Sequence, residues 1–202
     1  MRDVTGGHAG HEIIIYELDG HKTHDIGLVN GLNVSAFPLE HRVPTLGYRF
    51  DEEPRPPGLS TEALAKYSIT IDEIKLIKQG IPILRDRRVI PIKEVTKEPV
   101  PLRSFAYCSD TVYDPSIIPH IKGVDLLYHE ATYLHELVDK ARERLHSTAL
   151  EAAMIARDAN VKDLVIGHYS GRYKDLSVMT DEAKTVFVRT LLAVEGAEFE
   201  IG

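Results

Sequence analysis

The sequence predicts a mixed α/β fold, and three observations carry that expectation. After Pro101, short apolar runs alternate with helical stretches in the order β-α-β-α-β. Those runs are apolar on both faces, as in strands covered by helices and joined by crossovers of one hand. At 202 residues, 43% hydrophobic and 27% charged, the chain has the size and apolar content for a compact domain, which excludes disordered and collagen-like classes.

Taken in order, Ile13–Tyr16 is a β-branched run that reads as a strand, Asp19-Gly20 as a turn and Leu32–Pro38 as a second apolar strand. Residues 11–50 as a whole read as strands with turns, and Pro44 and Gly47 punctuate the stretch after His41. Residues 52–58, Glu-Glu-Pro-Arg-Pro-Pro-Gly, hold too much proline for a regular element and mark the internal boundary. A short helix is expected over Ser60–Lys66. Thr70 followed by Glu73 has the spacing of a capping box for a second helix across Ile74, Ile77 and Lys78, ending near Gly80. Beyond Pro101 the expected elements are a strand over Ser104–Ser109, a turn and helix near 115–122, a strand over Val124–His129, a helix or helices over Thr132–Asn160 and a strand over Val161–Gly167. A helix near 180–189 and edge strands at 190–194 and 197–201 complete the chain.

The net charge of −7 excludes a uniformly basic nucleic-acid coat. A local basic patch exists nonetheless: residues 75–97 hold Lys75, Lys78, Arg85, Arg87, Arg88, Lys93 and Lys97 against Asp86 and Glu94. By charge alone this is a solvated face. Cys108 is the single cysteine and no C-x-x-C occurs, so a reducing, cytoplasmic setting fits better than a secreted one. The start, Met1–Gly7, lacks the apolar run of a signal peptide, and no stretch approaches the roughly 18 apolar residues of a membrane helix, so no membrane association is expected.

Chemistry gathers where apolar runs end. Phe-Ala-Tyr-Cys-Ser ends in Asp110-Thr111, Leu-Leu-Tyr in His129-Glu130, Leu-Val-Ile-Gly in His168 and Phe-Pro-Leu-Glu in His41. In open α/β sheets the ligand crevice lies outside the carboxyl ends of the strands, so these side chains are expected on one face. Two imidazoles with a carboxylate suit a borderline metal; zinc, manganese and iron all accept such ligands. One histidine after a strand would be a cap or core residue, but four such endings in one short chain point further. His146 stands just ahead of Thr148 and Glu151, the capping box of an alanine-rich helix. The helix field there opposes a protonated imidazole and a neighbouring carboxylate such as Glu130 would favour it, which suits a proton donor or acceptor near neutral pH. Spacing alone fits a surface histidine as well.

Taken together, Cys108–Thr111, Leu127–Tyr133, His146–Thr148 and Gly167–Tyr173 resemble the ordered motifs of the ribonuclease Z family, the tRNA 3′-processing endonucleases. Glu40–Thr45 with Gly47–Arg49 resembles that family's earlier histidine motif, and the match runs from about residue 30 to the end. The resemblance implies the four-layer αββα sandwich of the metallo-β-lactamase fold. It also implies two zinc ions per subunit activating water against a phosphodiester, and a tRNA left with a 3′-hydroxyl. On that basis His41 would bind one zinc, His168 the other, and Asp110 would bridge them. His146, oriented by Glu130, would protonate the leaving 3′ oxygen. Residues 51–97 match the position of an inserted arm that grips tRNA, with Lys75, Lys78, Arg85, Arg87 and Arg88 as phosphate contacts. The family resemblance also implies a homodimer in which one subunit's arm serves the other's site.

The departure is equally specific. The family's upstream H-x-H-x-D-H motif is not in this sequence, and His8-Ala-Gly-His11 and His21-Lys-Thr-His24 have other spacings and read as surface histidines. The expectation is therefore a single partial domain over 1–202, incomplete on its N-terminal side. Such a domain would hold at most one metal weakly, because three ligands cannot fill two shells that each want about four. An inner sheet face left uncovered would also favour self-association. Two other readings stay open: a metallo-β-lactamase-fold hydrolase of other esters, and a tRNA-binding fragment that does not cut.

Overall fold

The computed structural model describes residues 14–85 and 87–202. The expectations for Met1–Gly7, His8, His11, Ile13 and Asp86 lie outside the described residues. In chain order the strands are β1 (His24–Val29), β2 (Leu32–Leu39), β3 (Thr45–Glu52), β4 (Ile83–Arg85), β5 (Arg88–Ile90), β6 (Ser104–Cys108), β7 (Leu126–Glu130), β8 (Asp163–Gly167) and β9 (Thr190–Leu192). The helices are α1 (Thr61–Lys66), α2 (Ile71–Lys78), α3 (Ile92–Val95), α4 (Ile118–Ile121), α5 (Val138–Arg144), α6 (Ala149–Asp158) and α7 (Ser177–Lys184). They fall into two compact units, one holding the chain up to Asp51 with Arg103–Ile201, the other Glu52–Leu102.

The first unit is built on a seven-stranded sheet in the order β1-β2-β3-β6-β7-β8-β9. β1 and β2 are an antiparallel hairpin closed by Asn30-Gly31, whose φ values of 51° and 82° are those of the tight turn that matches strand twist. β3 runs antiparallel to β6, while β6, β7, β8 and β9 are mutually parallel, as the alternating sequence requires. The parallel register sets Cys108 beside His129 and Glu130 beside Gly167, so three strands end side by side. Helix α6 is capped by the predicted box, Thr148 with Glu151, and buries Ala149, Ala152, Ala153, Ile155 and Ala156. Its small side chains share one core with Phe37, Leu39, Ala106, Leu127, Leu164 and Ile166. By strand alternation Phe105, Tyr107 and Tyr128 lie on the sheet's other face. There Phe50 stacks on Phe105 at 6.0 Å and Tyr107 on Tyr128 at 4.8 Å, with Tyr107 still 39% exposed. This unit supplies one β layer and its helical cover.

The second unit has its own small core of Ala63, Ile77, Ile83, Ile90 and Val95. Helices α1 and α2 start at Ser60 and Thr70 as the sequence indicates, and Thr70 and Glu73 form the reciprocal capping box. β4 and β5 form an antiparallel hairpin.

Residues 45–50, inside the stretch expected as strands with turns, belong to β3, where Gly47 is required because a Cβ there would lie 2.6 Å from the Phe37 ring. Three expectations need correction. Ile14–Tyr16 is no strand: these residues are exposed, and among the described residues the sheet edge is taken by β1. Helix α7 begins at Ser177 rather than near 180, because the Asp175 carboxylate takes the Ser177 N–H and hydroxyl. Residues 197–201 form no strand, leaving β9 as the edge.

Candidate active site

Four expected site residues of the first unit are carried by strand ends, while His146 lies between α5 and α6. Asp110 follows β6, Glu130 ends β7, His168 follows β8 and His41 follows β2. The β2 and β6 ends are tied together: the Glu40 N–H donates to the Thr111 hydroxyl at 3.2 Å and the Val112 N–H to the Glu40 carbonyl at 3.0 Å. Gly167 permits the turn into His168, since a Cβ there would stand 2.3 Å from the Tyr128 hydroxyl oxygen. His168 itself has φ 59°, a left-handed conformation that a non-glycine residue adopts at some cost.

Glu130 is the hub. Fully buried, it accepts from the Thr111 N–H at 3.1 Å, His146 Nδ1 at 2.7 Å, the Thr132 N–H at 3.0 Å and the Thr132 hydroxyl at 2.8 Å. Four accepted bonds are the pattern of an ionised carboxylate whose burial is matched by donors. This bond to Glu130 raises the His146 pKa, outweighing partial burial and the nearby charge of Arg42, and Asp110 adds to the rise. Of the two influences the sequence suggested for His146, the carboxylate prevails. Leu145, φ 58°, ends helix α5 in a left-handed cap and turns the chain into His146.

The three imidazoles form a row, with His146 5.2 Å from both His41 and His168 between ring centres. His41 Nδ1 lies 2.8 Å from the Leu145 carbonyl, which can only accept, so Nδ1 donates there and Nε2 is the ring nitrogen left for other partners. That Nε2 is 3.9 Å from Asp110 Oδ2, and His168 Nδ1 is 3.4 Å from Asp110 Oδ1. Asp110 thus stands between the two histidines, its side chain 36% exposed. Ligand atoms of His41, Asp110 and His146, and of Glu130, His146 and His168, fall in two clusters within 4.8 Å. Nitrogen and carboxylate donors at this separation fit a borderline divalent cation.

Sequence reasoning gave no role to Thr132, whose hydroxyl lies 2.8 Å from Glu130 and 2.9 Å from His168 Nδ1 and so links the two parts of the site. Its place inside the His-Glu-Ala-Thr motif was the available signal. His129 of the same motif is not a site residue: buried in the core, it donates from Nδ1 to the Glu130 carbonyl, leaves Nε2 without a partner, and has its pKa lowered by burial. Burial likewise pushes the Cys108 thiol far up, so it is no nucleophile. His21 is exposed and His24 bonds the Asp19 carbonyl.

In the second unit, Lys78, Arg87 and Arg88 have no ion pair among the described residues. Lys75 pairs with Asp72 on the surface at 2.9 Å. Arg85 differs: its guanidinium bonds both Glu73 oxygens, at 2.6 and 2.7 Å, and the Tyr67 carbonyl, so it holds the unit together.

No protein-family model matches the chain. A curated Ribonuclease Z from Porphyromonas gingivalis is 43% identical over 192 residues, covering 95% of this chain and 63% of that protein. Ribonuclease Z from Bacteroides thetaiotaomicron is 44% identical, covering 80% of this chain and 52% of that protein. The chain thus spans between about half and two thirds of these relatives' length. Among solved structures, human tRNase Z, short form, matches with a TM-score of 0.53 at 21% identity, over 89% of this chain and 47% of that one. The metallo-beta-lactamase fold protein YhfI from Bacillus subtilis matches with a TM-score of 0.55 at 19% identity, over 85% of this chain and 50% of that one. The fold is that of the metallo-β-lactamase proteins, and the resemblance to ribonuclease Z is borne out over most of the chain.

Proposed function

We propose that this chain carries part of a ribonuclease Z type endoribonuclease, which hydrolyses the phosphodiester at the 3′ end of precursor tRNA and leaves a tRNA 3′-hydroxyl. The observation that carries this reading is the bond between buried Glu130 and half-buried His146, set beside the His41–Asp110–His168 group. A nucleophile activator and a proton donor are the two things phosphodiester hydrolysis needs on opposite sides of phosphorus.

His41, Asp110 and His168 would hold zinc, two ions per subunit in the intact enzyme. When bound, such ions supply positive charge to a phosphodiester oxygen and make water a nucleophile near neutral pH. The chain's own residues do the rest. His146 donates its proton to the leaving 3′ oxygen, and Glu130 fixes the ring and keeps the imidazolium populated. Thr132 and the Thr111 N–H hold the carboxylate so that only one of its oxygens serves His146. Lys75, Lys78, Arg87 and Arg88 contact tRNA phosphates, while Arg85 acts by holding the arm's shape. The active assembly is a homodimer in the cytoplasm, and no helix among the described residues is long and apolar enough to cross a membrane.

The test is cleavage of a 3′-extended precursor tRNA by the full-length protein with zinc present. Release of the trailer with a 3′-hydroxyl on the tRNA is expected; an uncut precursor sinks the reading.

A further inference from the structure

Beside His41 the first unit has a cleft of about 640 Å³ to which the site residues give no use. Its size falls within the roughly 300–1,000 Å³ of sites that take small ligands. Leu39, Val43 and Pro44 line it with apolar surface, and His41 and Arg42 form part of its wall. Arg42 is exposed and has no carboxylate partner among the described residues, yet its charge reaches His146. Two acids also line the cleft. Asp114 is committed, its oxygens taken by the Ser116 N–H and hydroxyl at 2.8 and 2.6 Å. Glu40 is exposed and its carboxylate has no partner among the described residues.

We propose that this cleft is a nucleotide subsite, seating one ribonucleotide that flanks the scissile phosphate, with Arg42 on its backbone phosphate and Glu40 on its base. The inference rests on the function proposed above and deepens it. An uncompensated guanidinium next to a metal-ligand candidate suits a phosphate, because the fork presents two donors to two oxygens. Apolar walls suit the flat base, and a lone carboxylate accepts from an exocyclic amino group, so cytosine or adenine is preferred over uracil. One cation and one free acid also set the capacity at a single phosphate.

The test uses the whole chain and fluorescence anisotropy with labelled oligocytidine and oligouridine tetranucleotides. Oligocytidine binds more tightly, Arg42→Ala weakens both by about tenfold or more and lowers the salt slope by about one, and Arg42→Lys recovers part of the loss. Glu40→Gln removes the preference for cytosine without abolishing binding. Absence of oligonucleotide binding, or binding that ignores Arg42→Ala, overturns the subsite. Cleavage of precursors changed from cytosine to uracil on one side of the cut at a time identifies the flank by a raised KM; no change on either side overturns it as well. A precursor that is cut normally by Arg42→Ala removes the subsite and leaves the proposed function standing. A precursor never cut by the full-length protein removes the function itself.

Discussion

The two units handle charge in opposite ways. In the first, Glu130 is fully buried and answered by four donors, His146, His41 and His168 are each held by a named hydrogen bond, and Asp110 lies within 3.9 Å of His41 and 3.4 Å of His168. In the second, Lys78, Arg87 and Arg88 have no ion pair among the described residues, Lys75 meets Asp72 at the surface, and Arg85 is fixed by Glu73 and Tyr67. Low dielectric and fixed geometry make the first unit selective at the level of single atoms. High dielectric and mobile side chains make the second a source of summed, screenable attraction. The difference says where chemistry and where grip should reside, and it can be broken at several points.

The largest effect is expected at the dyad. His146→Ala in the full-length protein should lower kcat by about 10²–10⁴-fold, the usual worth of a general acid, with KM for precursor tRNA little changed. Glu130→Gln tests the coupling through pH. Glu130 raises the His146 pKa, so the protonated, donating imidazole persists further to the alkaline side. Without that carboxylate the alkaline limb of the kcat profile should move to lower pH. A limb that stays in place would separate His146 from Glu130.

The next effect belongs to the other unit. Replacing Lys78, Arg87 and Arg88 together by alanine should weaken precursor binding and reduce the slope of log affinity against log salt by about two to three, leaving the chemical step alone. Salt-independent binding would show that these side chains are only a solvated face.

The smallest effect compares the two capping boxes. Thr148→Ala and Thr70→Ala should each cost about 1 kcal/mol by denaturant unfolding. Thr148 should cost the more because it is buried and also lies 3.1 Å from His135 Nδ1, whereas Thr70 is exposed.

Much of this was legible in the sequence because the signals are local. The strand endings at Asp110, Glu130 and His168 follow short apolar runs, and both capping boxes are fixed four-residue patterns. What stayed hidden depends on contacts far apart in sequence. Ile14–Tyr16 has strand chemistry but no strand partner among the described residues, and the need for Gly47 inside β3 comes from the Phe37 ring. The His41–Leu145 bond, which leaves Nε2 available, joins residues 104 positions apart. Arg85 looked like one base among seven until Glu73 and Tyr67 appeared around it.

The most direct test of the central claim, that the strand ends of the first unit form the metal centre, is calorimetric titration of the chain with zinc. No more than one ion should bind per chain, with binding lost or weakened at least about tenfold by Asp110→Ala and unchanged by His21→Ala or His24→Ala. Wild-type affinity in Asp110→Ala, or loss of binding on removing His21 or His24, would contradict it.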